Sequence, residues 1–181
     1  MKEIYFVTSN ENKLREAREI LGINVNSVSV DVPEILYLYV KDIVISKAKS
    51  AYEHVRKPVL VEDTGLYLRG LNDFPGALVK WMLKTVGNDG ICKLLKDEKN
   101  RSAYAETCVC LYDGTNSYVF SGRIDGSIPN SPRGEQGFGW DPIFQPEGYS
   151  ITFAEMPMED KNKMSMRKEA FIKLKEHLES K

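Results

Sequence analysis

Hydrophobic positions along the chain change period several times, and each change marks an element. Residues 4–7 form a short apolar run, and Thr8-Ser9-Asn10 then supplies residues suited to a helix N-cap. Leu14, Ala17 and Leu21 follow at helical spacing, and Gly22 stands where a helix would close on a C′ glycine. Residues 25–30 read as a second strand and 42–54 as a helix, with Ile43, Lys47, Ser50 and Ala51 roughly in line. A buried-type strand over 59–62 is entered through Pro58. Pro75 opens a helix through about Lys84 that Gly87 ends, and 90–95 is a shorter helix. Residues 103–112 alternate as a strand, Asp113-Gly114 is a hairpin turn, and 117–124 return. A last helix over 165–177 carries Ala170, Phe171, Leu174 and Leu178 on one face. Helices interspersed with strands, plus one hairpin, predict an α/β protein with a mixed central sheet flanked by helices.

Repeats, linkers and low-complexity segments are absent, so residues 1–181 read as one domain. The 181 residues are 42% hydrophobic and 28% charged, which is ordinary for a globular protein with a sizeable core. A net charge of −1 provides no broad basic field for nucleic acid or membrane, so any phosphate site must be local. No apolar run could span a bilayer, and no signal-peptide pattern opens at Met1-Lys2-Glu3. The three cysteines are an odd count with no Cys-x-x-Cys pair; Cys108 and Cys110 share a strand face and would not normally bridge. Reduced thiols in a cytoplasm are the expectation.

Four segments carry candidate chemistry. Residues 137–144 read Gly-Phe-Gly-Trp-Asp-Pro-Ile-Phe, a poor strand and an unusual surface loop. The grouping suits a flat aromatic wall of Phe138 and Trp140 with Asp141 aimed into it, the right chemistry for a nucleobase. A core turn with buried aromatics fits the same residues equally well. Thr8, Ser9 and Asn10, with Lys13, can cradle phosphates at a helix N-terminus, although plain capping with a solvated lysine suits that segment better when it is taken alone. Val61-Glu62-Asp63-Thr64-Gly65-Leu66 ends an apolar strand in two acids, which points either to Mg²⁺ or a catalytic base, or to a turn with solvated carboxylates. Lys161, Lys163, Ser165 and Arg167 crowd the start of the last helix, where cations oppose the dipole; a bound anion or an acidic partner would explain them.

In order and number these segments resemble the inosine triphosphate pyrophosphatase family, enzymes that clear non-standard purine nucleoside triphosphates. The resemblance runs over nearly the whole chain. It rests on Thr8-x-Asn10-x-x-Lys13, the 61–66 segment, Pro75-Gly76 with Val79-Lys80-Trp81, Arg133-Gly134, the 137–144 loop, Thr152-Phe153-Ala154-Glu155-Met156, Lys161-Asn162 and Ser165-x-Arg167. It implies an elongated, two-lobed α/β domain with a central cleft, usually a homodimer. The implied reaction is hydrolysis of ITP, dITP and XTP to the nucleoside monophosphate and pyrophosphate.

Carried over by position, Thr8, Asn10 and Lys13 are the phosphate loop. The resemblance implies that Glu34 and Asp63 hold Mg²⁺, with Mn²⁺ as an alternative, and that Glu62, Asp63 and Lys47 are catalytic, leaving open which of the three acids binds metal and which handles the water. Thr64, Phe138, Trp140 and Asp141 contact substrate, and Lys161, Ser165 and Arg167 form a lid. The donors of Arg167 would meet a purine 6-oxo group and repel adenine's amino group. Two departures stand out. Met166 occupies the place of the family's His, and residues 34–39 are largely apolar where the family tends to place Gln. They keep two alternatives open, a diphosphatase for modified pyrimidine nucleotides and a catalytically silent nucleotide-binding protein. No nucleic acid or membrane partner is expected.

Overall fold

The computed structural model describes residues 3–33 and 35–180. Among them, the strands form one mixed sheet in the order β2-β1-β3-β5-β6-β7, with β4 added to β3. The strands are β1 (Ile4–Val7), β2 (Val25–Val28), β3 (Val59–Leu68), β4 (Pro75–Gly76), β5 (Ser102–Tyr112), β6 (Ser117–Ser127) and β7 (Gln145–Pro146). The helices are α1 (Glu11–Leu21), α2 (Val40–Val55), α3 (Val79–Leu94), α4 (Met158–Lys163) and α5 (Met166–Glu179). β1 runs parallel to β2 and β3, whereas β4 and β7 pair antiparallel with β3 and β6.

Two compact units share the chain. The first comprises Met1–Asp63, Thr107–Gly122 and Arg167–Lys181. Its core joins Ile4 and Phe6 of β1, Leu14, Ala17 and Leu21 of α1, Leu60, Val109 and Leu111 of the sheet, and Ala170, Phe171 and Leu174 of α5. The helical spacing of Leu14, Ala17 and Leu21 therefore marks a buried face. Gly22 closes α1 at φ +67°, with its N–H donating to the Arg18 carbonyl at 3.0 Å. At the hairpin, the Asp113 carboxylate accepts from the N–H groups of Thr115 and Asn116, and Gly114 takes φ +101° under Tyr52.

The second unit comprises Thr64–Glu106 and Arg123–Met166. Leu66, Leu68, Val79, Met82, Ile91, Leu95, Ala105, Ile143, Phe144 and Phe153 pack its core. Met166 is partly buried against that cluster. The thioether standing at the family's His position is thus used in packing.

Two element expectations are corrected. β3 does not end at Glu62; it continues to Leu68, because Leu66, Tyr67 and Leu68 are fully buried and the strand pairs with β4 at Leu66↔Gly76 and Tyr67↔Pro75. Pro75 does not start a helix: Gly76, at φ +57°, is outside helical space, and α3 begins at Val79. Gly87, at φ 66° and ψ −178°, is non-helical and divides α3 into two helices, as its place in the sequence suggests. All three cysteines are free and buried. Among the described residues, no helix is long and apolar enough to cross a membrane.

Candidate active site

In the first unit the candidate groups gather around one carboxylate. Thr8 follows β1, and its Oγ1 accepts from the Asn10 N–H at 3.1 Å; Asn10 Oδ1 then accepts from the Lys13 N–H at 3.3 Å, capping α1. Ser27 Oγ, from the segment beside β1, donates to the Thr8 carbonyl at 3.0 Å. The loop is thus shaped by its own polar groups, and the cap aims Lys13 toward β3.

Glu62 stands in mid-strand on β3 with its side chain 1% exposed. Its Oε2 accepts from Arg167 Nε at 2.8 Å, and Arg167 Nη1 donates to Glu16 Oε2 at 3.2 Å. Lys13 Nζ lies 3.0 Å from Glu62 Oε1, yet that buried oxygen accepts no aligned hydrogen bond. Burial alone would push the Glu62 carboxyl up; the cations of Arg167 and Lys13 together overcome this and hold it below the usual carboxylate range. Glu16, which the sequence reading missed, is one turn beyond Lys13 on α1, and that i, i+3 spacing was its only signal.

Asp63 is the next residue on β3, so its side chain leaves the opposite face of the strand from Glu62. Thr64 continues the strand, partly buried. Lys47 is partly buried on α2 between the buried Val44 and Ala48. Glu34 lies outside the described residues. Among the described residues, no three His, Cys, Asp or Glu side chains gather into a metal-ligating group. The carboxylate oxygens of the candidate acids are nevertheless of the kind a hard cation takes.

The second unit holds the aromatic groups. Loop 137–144 turns through Gly137 (φ +79°) and Gly139 (φ +64°), and Asn88 Nδ2 on α3 donates to the Gly139 carbonyl at 3.0 Å. Phe138 is 76% exposed, while Trp140 packs inward against Phe144 and Phe153 at ring-centroid distances of 5.4 and 6.1 Å. Asp141 is buried. Its Oδ2 accepts from the Phe138 N–H at 2.8 Å and from Lys161 Nζ at 2.5 Å. Lys161, on α4, stands 5.1 Å from the Phe138 ring centroid and 5.3 Å from that of Phe153. Lys163 pairs with Asp160 at 2.7 Å, and Ser165 is partly buried between α4 and α5. The basic cluster before α5 is thus met by acids: Lys161 by Asp141, Lys163 by Asp160 and Arg167 by Glu62 and Glu16.

The Ham1 family model matches residues 4–177, which takes in every one of these groups. The chain belongs to the Ham1 family. It is 44% identical over 165 residues to a protein of Thermococcus kodakarensis named dITP/XTP pyrophosphatase, covering 90% of this chain and 89% of that one. It is also 44% identical over 180 residues to inosine triphosphate pyrophosphatase 2 of Trypanosoma cruzi, covering 97% and 91%. The fold matches the Staphylococcus aureus Ham1 protein with a TM-score of 0.89 at 26% identity, over 99% of both chains. It matches a dITP/XTP pyrophosphatase of Mycobacterium abscessus with a TM-score of 0.80 at 30% identity, over 95% and 98%. As a Ham1 protein the chain has the mixed α/β fold expected of it.

Proposed function

We propose that this Ham1 protein is a nucleoside triphosphate diphosphatase that hydrolyses ITP, dITP and XTP to the nucleoside monophosphate and pyrophosphate. The observation that carries the reading is that relatives named for this activity match at 44% identity over 90% or more of the chain. The geometry supports it within each unit. Lys13 places an ammonium at a capped helix N-terminus, which suits triphosphate oxygens. Phe138 offers an open ring with an ammonium beside it, which suits a flat base.

In this reading Thr8, Asn10 and Lys13 bind the phosphates, Lys47 adds positive charge to them, and Asp63 orients the attacking water, while Glu62, from the other face of β3, takes its catalytic part by holding Lys13 and Arg167. Asp63 and Glu34 would hold Mg²⁺, with Mn²⁺ as the alternative, and a bound ion would draw charge from the triphosphate oxygens. Thr64, Phe138, Trp140, Lys161 and Ser165 enclose the nucleoside. Arg167 reads the 6-oxo group, for which its guanidinium must exchange a carboxylate for the purine. Homodimerisation in the cytoplasm completes the reading. Ile35, Leu36, Tyr37 and Tyr39 are all exposed and provide an apolar surface for it, which sedimentation of the purified protein would test.

Product analysis tests the chemistry. With ITP and Mg²⁺, ³¹P NMR should show pyrophosphate and a monophosphate appearing together, with no orthophosphate. Orthophosphate with IDP would mean cleavage at the outer bond and end this assignment. ITP binding without any product would identify a silent binder.

A further inference from the structure

The residue types of loop 137–144 place an acid beside an aromatic wall, an arrangement in which the carboxylate would accept a hydrogen bond from a base N–H. The observed side chain is differently employed. Asp141 is 5% exposed at its side chain, and one oxygen, Oδ2, takes two donors. The first is the backbone N–H of Phe138, the residue with the exposed ring. The second is Lys161 Nζ, whose ammonium stands over that same ring. Gly137 completes the arrangement: a Cβ there would sit 2.1 Å from Asp141 Oδ2, and its φ of +79° disfavours any L side chain. The carboxylate is therefore enclosed by the loop it organises.

Building on the proposed activity, we infer that Asp141 is a positioning residue and not a reader of the base. It fixes the Phe138 ring and the Lys161 ammonium as one aromatic–cation unit on which any base can stack. Discrimination among bases must then come from other groups. The consequence is chemical: hypoxanthine carries a hydrogen on N1, whereas adenine has a lone pair there. A reader that accepted from N1–H would favour ITP over ATP; a clamp would serve both alike.

Asp141→Asn separates the two. The amide can still accept from Phe138 N–H, but it cannot pair with an ammonium as a carboxylate does. Losing a charge-assisted bond should raise KM for ITP and for ATP by about tenfold or more, with kcat within about threefold and the ITP:ATP ratio of kcat/KM within about threefold of wild type. Lys161→Met should give the same parallel loss. The double variant should be no worse than the worse single one, since both remove one contact. Gly137→Ala, which displaces the same oxygen, should behave like Asp141→Asn. A selective loss of ITP that lowers the ratio about tenfold, or additive effects of the two single variants, would overturn the inference. If wild type binds ITP and ATP without turnover, the same comparison is read in Kd. If it binds neither, both this inference and the activity it rests on fall. If wild type turns over ITP and the ratio collapses in Asp141→Asn, only the positioning role falls.

Discussion

Glu62→Gln removes one charge from a cluster of two cations, Lys13 and Arg167, and two acids, Glu62 and Glu16, while keeping its shape. Glu62 receives Arg167 at 2.8 Å and Lys13 at 3.0 Å, with its own side chain 1% exposed. Stripping one partner from a fully buried pair costs about 3–5 kcal/mol. Three features reduce that here. Arg167 keeps Glu16 at 3.2 Å, the new amide oxygen still accepts from Arg167 Nε, and Lys13 is 31% exposed and reaches water. A loss of about 2 kcal/mol remains, which for a chain of this length lowers Tm by roughly 4–8 °C at neutral pH. The pH dependence gives the sharper test. Because the folded carboxyl is held below its ordinary value of 4.5, its contribution is fully present above that pH and is lost only as pH falls through the lowered value. Thermal melts followed by far-UV circular dichroism should show a constant gap between wild type and variant from about pH 8 to pH 5, closing in stronger acid. Equal Tm values at neutral pH, or a gap that widens on acidification, would refute this reasoning.

Phe138→Ala removes an exposed ring and should leave Tm within about 1 °C, since little packing is lost. If that ring stacks on the base, worth about 1–3 kcal/mol, KM for ITP in steady-state assays should rise about ten- to a hundredfold. Asp63→Asn should cut ITP turnover by about a hundredfold or more in a pyrophosphate-release assay, while calorimetry shows ITP binding within about threefold of wild type. Chelation of divalent ions should abolish turnover, and added Mg²⁺ should restore it, with Mn²⁺ as substitute; activity that survives exhaustive chelation would remove the metal from the proposal. Gly134→Ala places a Cβ 2.4 Å from the Ala154 carbonyl at a φ of +84°, so its urea midpoint should fall by an amount equivalent to about 2 kcal/mol with m unchanged.

What could be read from the chain was what neighbours in sequence decide. The cap at Thr8-Ser9-Asn10, the face of Leu14, Ala17 and Leu21, the Gly22 stop and the Asp113-Gly114 turn are local, and the structure contains each of them. The failures have non-local causes. β3 runs on past Glu62 because β4 pairs with its far end, a partner that the acids and Gly65 gave no reason to expect. Pro75 looks like a helix opener until Gly76 adopts φ +57°. α4, at six residues, is too short to show a period. The candidate groups were legible as residue types in a recurring order, but their partners were not. Arg167 meets Glu62 across 105 residues, and Asp141 turns toward Lys161 across 20. Met166, in the place of the family's His, packs against an apolar core instead of presenting a polar group.

Pyrophosphate release by the purified protein with Mg²⁺, compared across ITP, XTP, ATP, GTP and UTP at one subsaturating concentration, bears on the proposed activity most directly. ITP and XTP should be turned over well ahead of the other three. Faster turnover of UTP than of ITP would instead place the chain among pyrimidine diphosphatases, and no pyrophosphate from any of the five would contradict the enzymatic assignment outright.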